Sequence, residues 1–174
     1  MSGERYRGLS DVRRRNRRNI RSLLYRRAPV TRTELAEELG LTLPTVTTSV
    51  AGMLEEGLLV EQPAPSGGGR RPNLLRFNPS AGYALGVELG PYETAMGLYD
   101  LTGEPLVRRI YPAAPDGYGE MVETLAGQLA ELAALAPVPV LGAGIGLPGF
   151  VSREQGIVRA SRTGWTGKTV ANDL

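Results

Sequence analysis

The sequence predicts an α/β chain in two parts: a winged helix-turn-helix over residues 1–80 and an incomplete ribonuclease-H-like or actin-like lobe over residues 81–174. Two short amphipathic helices joined by a glycine lie within residues 30–57, and two strands with a glycine–arginine loop follow them. The second part reads as three strands, a long helix and a buried strand. Charge divides in the same place, with a balance of +6 before residue 81 and −4 after it. This asymmetry indicates a polyanion-binding module joined to a domain of another kind.

The composition excludes several kinds of site. The chain has no cysteine and no histidine, so it lacks thiolate metal ligands, disulfides and the usual general base. We expect no metal and no cofactor. Lys168 is the one lysine among 20 basic residues. Arginine suits phosphate and guanine contacts, although the base composition of the coding genome explains the preference equally well.

No targeting or membrane-spanning segment is expected. The first residues are polar and arginine-rich, without the apolar core of a signal peptide. Residues 132–152 are uncharged, but they contain seven prolines and glycines, which suits a helix end, a strand and a loop better than a membrane span. We therefore expect a cytoplasmic protein without a membrane partner.

The first predicted helix runs from about Ser10 to Arg27. Apolar residues recur along one side at helical spacing, and six arginines occupy the others, with Asp11 as the single nearby carboxylate. A solvated surface is one interpretation. Because these arginines cannot neutralise one another, contact with DNA phosphates is the favoured one. The candidate DNA contacts here, with one from the second helix, are Arg14, Arg17, Arg18 and Arg32.

The next two helices carry clear start and stop signals. Thr31 and Glu34 form a capping box that opens helix 2, and Gly40 ends it. Thr42 caps helix 3, whose apolar stripe is formed by Val46, Val50, Met53 and Leu54. Thr45, Thr48 and Ser49 are predicted to point away from that stripe, with Thr47 beside it. These hydroxyls are candidate DNA contacts, although short side chains predict only modest base readout.

A basic hairpin follows helix 3. Leu58–Gln62 and Leu74–Phe77 read as strands, and the loop between them contains Ser-Gly-Gly-Gly-Arg-Arg-Pro at residues 66–72. Three glycines permit close backbone approach to DNA, and Arg70 and Arg71 suit a minor groove. A flexible linker is the alternative, but it would need neither paired arginines nor flanking strands.

The second part alternates strands and a helix. Its predicted elements are strands Tyr83–Glu88, Thr94–Tyr99 and Leu106–Tyr111, a helix from about Gly119 to Leu135, and strand Val138–Ile145. This order is the opening of a ribonuclease-H-like or actin-like lobe.

Several motifs together resemble one family. They are LTLPTVTTSV, the GGGRRP loop, LGVELG at 85–90, MGLYDLTGEPL at 96–106, GAGIGLPGFV at 142–151 and Gly164-Trp165. The chain resembles the transcriptional-regulator branch of the ROK family (repressors, open reading frames and sugar kinases). The resemblance implies a winged-helix DNA reader coupled to a sugar-sensing, kinase-like domain, and a homo-oligomer. It also implies that Gly146, Pro148 and Gly149 line the effector cleft, although such residues are equally common in plain turns.

The departures from the family's kinases argue against catalysis. The kinases receive ATP phosphate at an Asp and a Gly-Gly-Thr turn, whereas this chain has Glu88 and Gly90-Pro91-Tyr92-Glu93. Proline removes an N–H donor, and Glu93 places negative charge where phosphate would lie. The family's Glu-x-Gly-His motif and zinc loop are absent, and Asn172-Asp173 comes too soon after Trp165 to match the catalytic pair. We expect no catalytic residues and no enzyme.

The favoured function is a DNA-binding transcriptional regulator of carbohydrate metabolism, which the resemblance makes a sugar-responsive repressor in its full-length form. The alternatives are a winged helix used for protein contacts and a vestigial sugar-kinase fragment. The predicted lobe ends before a sugar site can close, so the chain is either a fragment of a longer regulator or a naturally short one. Double-stranded DNA is the expected partner, with a sugar effector if the full domain exists.

Overall fold

The computed structural model describes residues 8–65, 72–152, 156–160 and 164–174. The chain folds as two compact units, Met1–Ala81 and Gly82–Leu174. In the described residues no helix is both long enough and apolar enough to cross a membrane.

The first unit has the element order of a winged helix. Its elements are α1 (Leu9–Arg27), α2 (Arg32–Leu39), α3 (Leu43–Glu55), β1 (Leu59–Pro63) and β2 (Asn73–Phe77). Strands β1 and β2 pair antiparallel, and Val30 makes an isolated antiparallel bridge to Leu75 of β2. The predicted helices and strands are thus confirmed to within a residue or two, as is the winged-helix fold.

One apolar core holds these elements together. Ile20, Leu24, Leu35 and Leu75 are fully inaccessible to solvent, and Val46, Val50 and Met53 complete the core from α3. Their spacing in α3 is the predicted stripe, which is confirmed. Val12 belongs to the apolar residues that recur along one side of the first predicted helix, but it is 47% exposed and lies outside this core.

The turns between the helices follow the predicted chemistry. Thr31 Oγ1 accepts a hydrogen bond from the Glu34 amide at 3.2 Å, and Glu34 Oε2 accepts one from the Thr31 amide at 2.7 Å. Glu34 Oε2 also accepts a hydrogen bond from the Thr31 hydroxyl at 2.8 Å. The bond from the Thr31 amide, followed by the one from its hydroxyl, lowers the pKa of Glu34. Gly40 has a φ of +61°, which a side chain would strain, so the helix can end there and reverse.

The second unit is a four-stranded sheet with one long helix on it. Its elements are β3 (Tyr83–Leu89), β4 (Glu93–Asp100), β5 (Pro105–Pro112), α4 (Tyr118–Ala133), β6 (Val140–Gly146), β7 (Gly149–Ser152), β8 (Gly156–Ala160) and α5 (Val170–Asp173). The sheet order is β5-β4-β3-β6, with β6 parallel to β3 and the other neighbours antiparallel. The predicted strands and helix are confirmed, whereas the β7–β8 hairpin was not foreseen.

The core of this unit lies between α4 and the sheet. Met121, Leu125 and Leu132 of α4 are fully buried, together with residues such as Leu85 and Leu98 from the strands. Strand β6 begins at Val140, two residues later than predicted, because Pro139 has no N–H to donate to a neighbouring strand.

Candidate nucleic-acid interface

Helix α3 presents two hydroxyl side chains to solvent. Thr47 and Thr48 are exposed, on the side away from the buried stripe that ends in Met53. Neither hydroxyl has a hydrogen-bond partner among the described residues. Both can therefore donate to or accept from an incoming ligand without first breaking a bond within the protein.

The other two hydroxyls of α3 are already engaged. Thr45 shares a 2.8 Å hydrogen bond with the hydroxyl of Thr42, and Ser49 Oγ donates to the Thr45 carbonyl at 2.9 Å. The sequence predicts that Thr45, Thr48 and Ser49 point away from the stripe and that Thr47 lies beside it. The structure agrees for Thr48, but Thr45 and Ser49 are half-buried and Thr47 is exposed.

This difference follows from the position of α1. At helical spacing Thr45 and Ser49 share a side of α3 with Gly52 and Glu56, and Arg17 of α1 packs over that side. The Arg17 Nη1 atom lies 3.6 Å from where a side chain on Gly52 would begin. Helix α1 therefore shields this side of α3, which the apolar pattern of α3 alone could not reveal.

Arg17 is anchored to the end of α3. It donates two hydrogen bonds to the Glu56 carboxylate, one of them from Nη1 to Oε1 at 2.8 Å. The side-chain bond is the main cause of a raised Arg17 pKa and a lowered Glu56 pKa. The expectation that Asp11 is the only carboxylate near these arginines is wrong, because Glu56 is bonded to Arg17. Glu56 is 39 residues from Arg17 in sequence, so the sequence pattern of α1 does not reveal this pair.

Arg32 is held in the same way on another side of the unit. It makes two hydrogen bonds to the Glu61 carboxylate of β1, the longer one from Nη2 to Oε2 at 3.3 Å. Both side chains are mostly shielded from solvent. The bond to Arg32 is the largest cause of a lowered Glu61 pKa. Arg27, the last residue of α1, pairs with Glu38 of α2.

The remaining arginines of α1 differ in how far they are neutralised. Arg14 pairs with Asp11 at 2.7 Å, and both side chains are largely exposed. Arg18 is exposed and makes no salt bridge within the described residues, and the same holds for its neighbours Arg15 and Arg21. The sequence predicts phosphate contacts from the six arginines of α1, which include Arg15 and Arg21, but the named candidates are Arg14, Arg17 and Arg18.

Part of the predicted hairpin loop is outside the described residues, including Arg70 and Arg71. The base of the hairpin is formed, since the Ala64 amide donates to the Pro72 carbonyl at 3.0 Å. Strands β1 and β2 pair in register from Leu59–Phe77 to Pro63–Asn73.

The predicted effector residues lie where β6 ends and β7 begins. Pro148 lines a small hollow of about 30 Å³, together with residues that include Leu89, Gly90 and Trp165. A space of this size holds about one water molecule and is too small for a sugar. A side chain on Gly149 would begin 2.4 Å from the Arg159 carbonyl oxygen, so the β7–β8 hairpin itself requires glycine there.

An aromatic cluster beside this hollow was missed by the sequence reading. The Tyr118 hydroxyl donates to Asp173, and the Tyr118 ring meets Trp165 edge-on at 5.5 Å. Lys168 Nζ lies 4.7 Å from the Tyr118 ring centre. Burial of the phenol, followed by the bond to Asp173, raises the Tyr118 pKa to about 12. Asp173 therefore fastens the end of the described chain to α4. No group of three metal-ligating side chains occurs in the part of the chain that the structure describes.

Comparison with known proteins covers both units. Residues 22–71 match the model of the MarR family. The xylose repressor of Bacillus subtilis (strain 168) is 27% identical over 158 residues, which cover 88% of this chain and 41% of that protein. A xylose repressor of Caldicellulosiruptor bescii is 32% identical over 137 residues, which cover 74% of this chain and 34% of the relative. The N-acetylglucosamine repressor of Escherichia coli O157:H7 is 25% identical over 158 residues, covering 83% and 37% of the two chains.

A crystal structure of a ROK family transcriptional regulator, a homolog of the Escherichia coli MLC protein, has the same fold. The TM-score is 0.69 at 20% identity, over 93% of this chain and 42% of that one. The resemblance to ROK regulators is confirmed. This ROK-like chain spans about two fifths of the length of the curated xylose repressors that it matches.

Proposed function

We propose that this chain is the DNA-binding part of a transcriptional regulator and that α3 enters the major groove of a DNA duplex. The observation that carries the proposal is the free hydroxyl side of α3. Thr47 and Thr48 are exposed and have no hydroxyl partner among the residues that the structure describes, while the opposite side of the same helix is anchored in the core. A helix presented in this way by a winged-helix unit is suited to groove binding.

The predicted DNA contacts fall into two groups: side chains available to bind DNA, and side chains held by hydrogen bonds within the protein. Thr47, Thr48 and Arg18 are proposed to touch DNA directly, as are Arg70 and Arg71 of the hairpin loop. Arg14 is exposed, so it can leave Asp11 for a phosphate at little cost, because exposed ion pairs are weak.

Four predicted contacts are better suited to shaping the surface. Arg17 and Arg32 are proposed to hold α1 and α2 in place through Glu56 and Glu61. Thr45 and Ser49 are proposed to support the beginning of α3 through their hydroxyl bonds.

We further propose a sugar-responsive repressor in which the second unit contributes part of the sensor. The support is that relatives carry the names xylose repressor and N-acetylglucosamine repressor. Gly146 and Pro148 would form one wall of the effector site, and further protein would have to supply the other because the present hollow is too small. A cytoplasmic homo-oligomer without enzymatic activity completes this proposal.

Titration of the chain against DNA tests the main proposal. A 30-base-pair random-sequence duplex carrying a fluorescent label should bind, and selection from the random pool should enrich a preferred sequence. Affinity should fall steeply between 50 and 200 mM salt, by ~10³-fold if about six phosphates are contacted. No binding, or binding that is indifferent to salt, would contradict it.

A further inference from the structure

A basic groove runs along α1 beside the turn that joins α2 to α3. We call it the arginine groove. It is lined by Asp11, Val12, Arg14, Arg15, Asn16, Arg18, Asn19, Arg21, Leu39 and Leu41. Helix α1 supplies the polar side chains, and Leu39 at the end of α2 and Leu41 of the turn supply an apolar side.

The groove carries an excess of positive charge, although Arg21 lies close enough to Glu56 to help lower the pKa of that carboxyl. Four arginines face one carboxylate, Asp11, which is already bonded to Arg14 at 2.7 Å. Arg15, Arg18 and Arg21 are exposed and have no salt-bridge partner among the described residues. Guanidinium groups only donate hydrogen bonds, and the amides of Asn16 and Asn19 can donate as well. The chemistry that fits this groove is an extended anion rich in acceptor oxygens.

The groove adjoins the proposed DNA-reading helix. Leu41 on its wall directly precedes Thr42, the residue that caps the beginning of α3. Because Thr47 and Thr48 follow within two helical turns, an anion in the groove would lie close to a duplex held by α3. This continuity favours the DNA backbone over an unrelated acidic protein as the occupant.

Arg17 helps to fix the groove in place without lining it. Its two hydrogen bonds to Glu56 join α1 to the end of α3. They therefore fix the position of the arginine groove relative to the exposed side of α3. Arg17 is therefore a positioning residue for the groove.

We propose that the arginine groove binds the phosphates of one DNA strand next to the segment read by α3. The proposal rests on the proposed DNA-binding function and adds a second contact surface to it. These phosphate contacts supply affinity and salt dependence, whereas base discrimination stays with α3 and the hairpin loop.

The test compares two double variants of the whole chain. Arg15→Ala with Arg18→Ala removes two groove arginines, and Arg13→Ala with Arg26→Ala removes two exposed arginines of α1 that do not line the groove. All four side chains are exposed, so both variants should keep the thermal unfolding temperature of the parent chain. The measurement is the binding constant for the selected duplex and for a random duplex at five salt concentrations.

The groove variant should lose about two units of the slope of log K against log salt, since each phosphate contact contributes roughly 0.9. Its affinity at 0.1 M salt should fall roughly 10- to 100-fold, with an unchanged ratio between selected and random duplex. The control variant should stay close to the parent chain.

Equal slopes in the two variants would overturn the groove proposal while leaving DNA binding by α3 intact. A parent chain that binds no DNA would instead overturn the proposed function and the groove proposal together. A poly-glutamate peptide serves as the second probe. Loss of its binding in the groove variant, with DNA binding unaffected, would assign the groove to an acidic protein and also overturn the proposal.

Discussion

Neighbouring residues of α3 differ in whether their hydroxyls are available to bind a ligand. Thr48 is exposed and its hydroxyl has no partner in the described part of the chain, whereas the hydroxyl of Ser49 next to it donates to the Thr45 carbonyl. The two residues are neighbours in sequence and similar in chemistry, so they form a matched pair for testing which side of α3 meets DNA.

Replacement of Thr48 by alanine should weaken binding to the selected duplex about two- to tenfold, because a neutral hydrogen bond contributes roughly 0.5–1.5 kcal/mol. Ser49→Ala should change the dissociation constant less than twofold. Fluorescence anisotropy titrations of both variants provide the measurement. A larger effect at Ser49 than at Thr48 would mean that the α1-facing side of α3 contacts DNA.

Gly149 offers a test of whether the β6–β7 turn is constrained by folding or by a ligand. An alanine side chain there would meet the Arg159 carbonyl oxygen at 2.4 Å, whereas alanine at Gly142 of β6 would meet nothing within 4 Å. Gly149→Ala should therefore reduce the free energy of unfolding of the second unit by roughly 1–3 kcal/mol. Gly142→Ala should leave it unchanged or slightly higher.

Urea unfolding followed by the fluorescence of Trp165, the single tryptophan, reports on this unit. Equal unfolding midpoints for the two variants would show that the hairpin adapts to a side chain at position 149. Glycine at that position would then require another explanation.

At the scale of elements, ion pairs join helices and strands that are distant in sequence. Arg32 at the beginning of α2 binds Glu61 of β1, and Arg17 of α1 binds Glu56 just after α3. Both glutamates have pKa values below the usual 4.5. A carboxylate with a lowered pKa stabilises the fold above its unfolded pKa, and that stabilisation is lost as the pH falls through the folded pKa.

The stability of the first unit should therefore be constant down to about pH 5 and should decline below pH 4.5. Glu61→Gln should remove part of this decline and should cost about 1 kcal/mol at pH 7, as expected for one partly shielded pair. Thermal unfolding followed by circular dichroism from pH 3 to pH 7 measures both quantities. Parallel pH profiles for the parent chain and the variant would contradict this role for Glu61.

The limits of helices and strands were predicted well where neighbouring residues in the sequence determine them. The capping box at Thr31 and the glycine at position 40 fix the limits of α2 within a few residues, so the sequence alone was sufficient. Contacts between elements were not predictable in this way. The Arg17–Glu56 pair depends on how α1 crosses α3, and the β7–β8 hairpin has only four and five residues in its strands, too few for a clear alternating pattern.

At the scale of the whole molecule, each unit has its own apolar core. The positive charge belongs to the first unit and the negative charge to the second. This division of charge agrees with a chain in which one unit binds a polyanion and the other has a different function. The division of charge could be predicted from the sequence, because counting charged residues requires no knowledge of tertiary contacts. Which arginines remain free for a partner was not visible, since neutralisation depends on distant carboxylates such as Glu56 and Glu61.

Helix α3 is proposed to lie in the major groove of a DNA duplex with Thr48 facing the bases. The chain has no cysteine, so Thr48→Cys creates a single attachment point for an iron chelate that cleaves nearby DNA. On the selected duplex, the labelled protein should cut both strands at a few adjacent positions around one major-groove segment. The parent chain, which cannot carry the label, should cut nowhere. Tight binding of the labelled protein without localised cleavage would contradict the account.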